Sequence, residues 1–301
     1  MPQPVYLKKG DKISILSTAR KISSAEIAMA IELAESWGLQ VVVGKTINAQ
    51  QNQMAGDDNF RLHDFQQALD DDSIKAIWCA RGGYGTVRII DEIDFRKFKK
   101  HPKWICGFSD VTVLHSHLQT LFNTASIHSL MPINVNENTK ESETVESFRK
   151  CLFGERIRYQ FESHQLNKTG KAKAEIVGGN LSILYSLAAS QSDMDTNGKI
   201  LLLEDLDEYL YHVDRMMMQL KRSGKLENLA GLIVGGMSEM KDNTTPFGKT
   251  AEEIIAEHVQ EFDYPVCFNF PVGHQLDNRA VKLGMVAELE VNEHNSLFKQ
   301  A

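Results

Sequence analysis

Three side chains that could share one reaction stand far apart in this 301-residue sequence. In Cys106-Gly107-Phe108-Ser109-Asp110 a serine falls where an apolar run, Trp104-Ile105-Cys106, gives way to a helical stretch. A serine on a tight strand-to-helix turn exposes its hydroxyl at the carboxyl edge of the strand. The helix start then offers N–H groups and a positive dipole end to a developing oxyanion. Ser109 or Asp110 could equally cap the helix. Leu203-Glu204-Asp205-Leu206-Asp207-Glu208 closes a second apolar run. Its acids could be solvated, could hold a metal, or could supply one carboxylate that orients a histidine. Only His212 lies near them, which argues against a metal. Phe270-Pro271-Val272-Gly273-His274 follows a third apolar run, and His274 suits either a general base or a structural histidine. His128 is a second histidine in a loop context, whereas His115 and His117 fall on a helical stretch as packing or surface residues.

A fourth element, Arg81-Gly82-Gly83-Tyr84-Gly85, also follows a strand-like run. It matches neither a dinucleotide fingerprint nor a P-loop. It could bind an anion, donate an oxyanion-hole N–H from Gly82 or Gly83, or simply turn the chain. A serine, an acid and a histidine in loops after strands, with a glycine loop beside them, make up the role set of serine acyl transfer.

The elements that would carry these loops alternate. Strand patterns at 12–17, 39–43, 74–79 and 103–107 are interleaved with helical spacing at 24–37, 61–69, 86–93 and 111–121, which predicts a wound, mostly parallel α/β sheet. Residues 136–175 turn polar and mark a break. The expected organisation is an N-terminal α/β domain over 1–150, a linker over 151–175, and a smaller β-rich α/β domain over 176–301. In the latter, strands are expected at 199–203, 229–234 and 266–270, helices at 181–190, 213–222 and 251–262, and an antiparallel strand pair at 281–291.

Composition sets the class. Hydrophobic residues form 42% and charged residues 24%, and 33 basic against 40 acidic side chains leave a net charge of -7. That balance disfavours a broad nucleic-acid surface. Cys79, Cys106, Cys151 and Cys267 form no CxxC pair and read as buried free thiols of a reducing compartment. Neither a signal-type start nor a membrane-spanning run is apparent, so a cytoplasmic location is expected.

Taken in order, the motifs identify a resemblance to the LD-carboxypeptidase family of serine peptidases, which includes microcin C self-immunity peptidases. It covers nearly the whole chain: Lys9–Ile13, Ala55–Arg61, Ala80–Gly85, Gly107–Thr112, Gly178–Ser182, Leu203–Asp205 with Asp214–Met216, and Pro271–His274 with Asn278. The resemblance implies Ser109 as nucleophile, His274 as general base and Glu204 as orienting acid, with Glu208 the alternative. The N–H groups of Asp110 and of Gly82 or Gly83 would form the oxyanion hole. It implies a two-domain fold with the site between domains, a homodimer, no cofactor and no metal. The implied substrate is a murein tetrapeptide losing D-alanine, with a peptidyl or aminoacyl adenylate as the alternative. An adenylate would want an aromatic platform, for which Tyr84 and Tyr209 are the candidates. Arg81 is the expected partner of a terminal carboxylate. Two segments depart from the family pattern: Ser17-Thr18-Ala19-Arg20, where a Pro-Ser pair is usual, and His128-Ser129-Leu130-Met131-Pro132, where His-Gly-Pro-Met is.

Overall fold

The computed structural model describes residues 3–301. Its first sheet is built from β1 (Lys12–Leu16), β2 (Gln40–Val43), β3 (Ile74–Cys79), β4 (Trp104–Gly107) and β5 (Ser126–His128). These five are parallel in the order β5-β4-β3-β1-β2. The central strands are apolar on both faces because helices cover both sides. Ile74–Cys79 and Trp104–Gly107 are almost wholly buried. Helices α1 (Ser24–Ser36), α2 (Asp58–Asp70) and α3 (Thr112–Phe122) supply that cover. Ser23 and Glu26 form a capping box on α1, and Asp57 caps α2 through the Phe60 amide.

The second sheet contains β6 (Ile157–Glu162), β7 (Gly170–Asn180), β8 (Ile200–Leu206), β9 (Gly231–Ser238) and β10 (Val266–Cys267), and near the C-terminus β12 (Val286–Val291) and β13 (Asn295–Gln300). Its order is β10-β9-β8-β7-β12-β13-β6, parallel from β10 to β7 and antiparallel beyond. Helices α4 (Glu143–Phe153), α5 (Leu181–Ser186), α6 (Leu210–Arg222) and α7 (Ala251–Val259) complete the chain. Between β10 and β12 the chain also returns to the first sheet, where β11 (Val281–Leu283) adds antiparallel to β5.

Several expectations change. The expected linker, 151–175, contains the end of α4, all of β6 and the start of β7. Its polar composition comes from an exposed sheet face on which Lys171 and Lys173 pair with Glu290 and Glu288 at 2.9 and 2.7 Å. The 281–291 stretch is not a strand pair, because β11 and β12 belong to different sheets and Gly284, at φ +78°, turns the chain between them. The helix expected at 86–93 is two short 3-10 turns, Thr86–Arg88 and Ile90–Glu92. A run of β-branched Thr, Val and Ile side chains gives a helix little support there. β5, β6 and β13 had no sequence expectation at all.

The two sheets meet where β7 abuts the start of α3. Gly179, at φ +141°, lies so close to Thr112 that a Cβ there would stand 2.6 Å from the threonine Oγ1. The Asn180 amide donates to the same Oγ1 at 3.1 Å. A methyl group at residue 179 would wedge the sheets apart as well as strain the backbone. We expect Gly179→Ala to lower stability in urea denaturation by roughly 2 kcal/mol or more. Gly10→Ala, at φ +92° with open space around it, should cost about 1 kcal/mol from strain alone.

Candidate active site

Ser109 sits immediately beyond β4, in a turn that most side chains avoid. Its φ is +62°, left-handed for a residue with a Cβ, and Gly107 before it stands at φ +148°. Gly107 has no alternative, since a Cβ would meet Val111 at 2.9 Å. Such a backbone costs of order 1–3 kcal/mol and persists only where the surroundings enforce it. Here it carries the serine past the strand end, toward the glycine loop. A Cβ on Gly82 would lie 3.1 Å from Ser109 Oγ and 3.3 Å from the Asp110 nitrogen. The structure therefore brings Ser109, Asp110 and Gly82 together. Gly83 is one residue further out, beneath the side chain of Arg20. Among the described residues, the amides of Gly82 and Gly83 make no hydrogen bond.

Asp110 does not cap α3. Its buried carboxyl accepts from the Thr86 amide at 2.9 Å, and burial raises its pKa. Behind it, fully buried Arg61 of α2 donates to the carbonyls of Thr18 and Gly85 and pairs with Asp58. Gly85, at φ +145°, has no room for a Cβ against the Arg61 guanidinium. Arg61 and Asp110 thus hold the glycine loop from beneath.

The acid and the histidine come from the second sheet. Glu204 lies on β8 where the register with β9 slips between Leu203 and Asp205, an irregularity that re-aims a strand side chain. It is fully buried. His274 Nδ1 stands 2.6 Å from Glu204 Oε2, and the His274 amide donates to the same oxygen at 3.2 Å. Gly273 permits this approach, because a Cβ there would strike Glu204 at 2.6 Å. Asn278 fixes the loop by accepting from the Gly273 amide at 2.8 Å, and Ser238 donates to the His274 carbonyl. Burial pushes the Glu204 pKa up, but the imidazoles of His128 and His274 outweigh it and the net shift is downward. Burial likewise lowers the His274 pKa, yet the Glu204 carboxylate overcomes that and the net direction is upward.

The His274 ring packs 4.7 Å, centroid to centroid, from the ring of Phe108, the residue before Ser109. That contact joins the histidine to the serine turn across the two sheets. Glu208 is elsewhere: it pairs with His212 at 2.5 Å at the start of α6. His115 is buried, not exposed, between Ser126 Oγ and the Gly107 carbonyl at 2.8 and 2.9 Å, and burial lowers its pKa to about 3. Arg81 directs Nη1 to the Lys21 carbonyl at 3.1 Å. The supporting roles of Arg61, Thr86 and Thr112 had no sequence signal beyond their place in or beside the motifs, and that of Ser238 had none.

The chain matches the model of the LD-carboxypeptidase N-terminal domain over residues 13–129 and that of the C-terminal domain over 173–289. The probable murein peptide carboxypeptidase of Bacillus subtilis is 32% identical over 300 residues, covering 99% of this chain and 94% of that protein. The chain belongs to the LD-carboxypeptidase family. It is thus a serine peptidase of two-domain α/β architecture. A solved relative, muramoyltetrapeptide carboxypeptidase from Oxalobacter formigenes, superposes with a TM-score of 0.86 at 25% identity over 96% of this chain and 98% of that one. A microcin C7 self immunity protein shares the fold at a TM-score of 0.85 and 19% identity, over 99% of this chain and 98% of that one.

Replacing Glu204 by Gln keeps the shape and removes the charge that supports an imidazolium. We expect carboxypeptidase kcat to fall about 10²–10⁴-fold in Glu204→Gln and to stay within about twofold in Glu208→Gln. A general base must be neutral to accept a proton, so with His274 in that role its raised pKa would place the acidic limb of kcat/KM above the ordinary imidazole value of about 6.5. In Glu204→Gln the residual activity should show that limb at lower pH.

Proposed function

We propose that this protein is a serine LD-carboxypeptidase that releases terminal D-alanine from murein tetrapeptides, with Ser109, His274 and Glu204 as its triad. The observation that carries the reading is the 2.6 Å His274–Glu204 pair, joined through Phe108 to a serine in a left-handed turn. Glu204 fixes the tautomer with hydrogen on Nδ1, leaving Nε2 to take the Ser109 proton as Oγ attacks the peptide carbonyl. The negative charge that forms on the carbonyl oxygen is met by the N–H groups of Asp110 and of Gly82 or Gly83. His274 then gives its proton to the departing amine of D-alanine, and water resolves the acyl-enzyme by the same route. The peptidase class and the name of the Bacillus relative support murein peptide as substrate.

A carboxypeptidase must also recognise a free carboxylate. In a C-terminal residue only N and Cα separate that carboxylate from the scissile carbonyl, so its partner must lie close to Ser109. Arg81 remains a candidate, although its guanidinium is engaged by the Lys21 carbonyl. Arg20 is the better placed of the two, since it overlies Gly83, the neighbour of the glycine packed on Ser109. An adenylate substrate has less support: Tyr84 and Tyr209 are exposed, but Tyr209 packs on Tyr211 at 5.7 Å.

Buried cysteines fit action in the reducing cytoplasm, and no helix among the described residues is long and apolar enough to cross a membrane. A homodimer in solution belongs to the same proposal and is checked by its mass in light scattering.

Mass spectrometry of a murein tetrapeptide incubated with the protein should show loss of one D-alanine, and Ser109→Ala should slow this by at least about 10⁴-fold with an unchanged melting temperature. An intact tetrapeptide with folded wild-type protein contradicts the reading. Arg20→Ala should raise KM about 10-fold or more for the free acid and leave hydrolysis of a C-terminal amide unchanged. An equal effect in Arg81→Ala alone would move the assignment to Arg81.

A further inference from the structure

One buried histidine has no place in this scheme. His128 ends β5, next to the nucleophile's strand, and is fully buried. Among the described residues, neither of its ring nitrogens has a hydrogen-bond partner. Its Nε2 faces Glu204 Oε1 at 4.0 Å, and that oxygen is also buried without a partner. Two complementary groups withheld from water and from all else face one another about 1 Å beyond hydrogen-bond length.

We propose that His128 is a positioning residue for catalysis: its Nε2–H donates to Glu204 Oε1 in the active enzyme and holds the acid from the side opposite His274. The inference rests on the triad proposed above. It gives each carboxylate oxygen its own imidazole, one from each sheet. It also ties Glu204, on the second sheet, to the strand beside β4, so that closing the joint between the sheets aligns acid, base and nucleophile together.

The surroundings leave few other charges to consider. His115 of α3 lies 6.3 Å from His128, ring to ring, and is committed to Ser126 and Gly107. The ring of Phe108 lies 5.8 Å from that of His128 and 4.7 Å from that of His274, which is committed to Glu204 Oε2. The strand neighbours facing His128 are Gly107 and Val281, without charge. Lys282, next on β11, turns to the Ala301 carbonyl and the Tyr6 ring. Among the described residues, Glu204 is thus the one ionic partner His128 faces.

A donor on Oε1 draws part of the carboxylate charge away from His274. Removing it should loosen Glu204, and should also leave more charge to stabilise the His274 imidazolium. The test compares wild type, His128→Leu and His128→Gln in the pH profile of D-alanine release. We expect His128→Leu to lower kcat about 10–100-fold at unchanged KM and to move the acidic limb to higher pH. His128→Gln, which retains a donor, should recover most of both. Wild-type kcat and profile in His128→Leu, or equal impairment in the two variants, would overturn the proposal. If His128→Leu does not fold, His128→Asn, whose amide is too short to reach, replaces it in the comparison. The downfield proton resonance of His274 Nδ1–H gives a readout that needs no substrate. It should shift in His128→Leu and stay near its wild-type position in His128→Gln; an unmoved resonance in His128→Leu would contradict the proposal even if the tetrapeptide proves not to be the substrate.

Discussion

A carboxylate with no solvent exposure must find its compensation within the protein, and Glu204 is such a group. Its principal partner, His274, sits on a loop 70 residues away in sequence. Much of the second sheet is shaped by that requirement. The slipped register on β8 turns Glu204 inward, Gly273 lets the histidine loop close against it, and Asn278 and Ser238 pin the loop. The pairing works in both directions. His274 holds the acid ionised, and the acid makes His274 a stronger base than burial alone would allow.

The serine side solves a different problem with the same economy. Ser109 must be presented in a backbone conformation that its own Cβ opposes. The surrounding turn is over-determined: Gly107 packs on Val111, Gly82 on Ser109, and Asp110 holds Thr86. Arg61 locks the loop from below. These constraints belong to the first sheet, so the proposed triad depends on how the sheets meet. The close pairing of Gly179 with Thr112 and the packing of Phe108 on His274 set that relation. In open α/β sheets the carboxyl ends of the strands are where ligands gather, and both Ser109 and Glu204 lie there.

The parallel core was legible in the sequence because its strands are buried on both faces and read as unbroken apolar runs. Ile74–Cys79 appears in the structure with the bounds its composition suggested. The second sheet was harder. β6, with Arg158, Gln160 and Glu162, and the start of β7, with Lys171 and Lys173, alternate exposed polar side chains and so resemble a linker, and β11 pairs with β5, some 150 residues earlier. Pairing of that kind leaves no local trace. Ser109, Glu204 and His274 stood out because each follows a strand-like run. Glu204 was preferred to Glu208 in the sequence for its place at a strand end, within the Leu203–Asp205 motif; in the structure one faces inward at a register slip and the other lies at a helix start beside His212. Arg61 and His128 both stood in segments the sequence singled out, but their partners did not, since a single side chain does not reveal which distant group it faces.

In the proposed triad Ser109 is activated by a histidine held by Glu204 across the joint of the two sheets. Labelling with a fluorophosphonate, followed by peptide mass mapping, tests this without assuming a substrate. A single adduct is expected on the peptide containing Ser109, formed rapidly in the wild type and at least about 10²-fold more slowly in His274→Ala and Glu204→Gln. Modification at another residue, or an unchanged rate in the two variants, would contradict it.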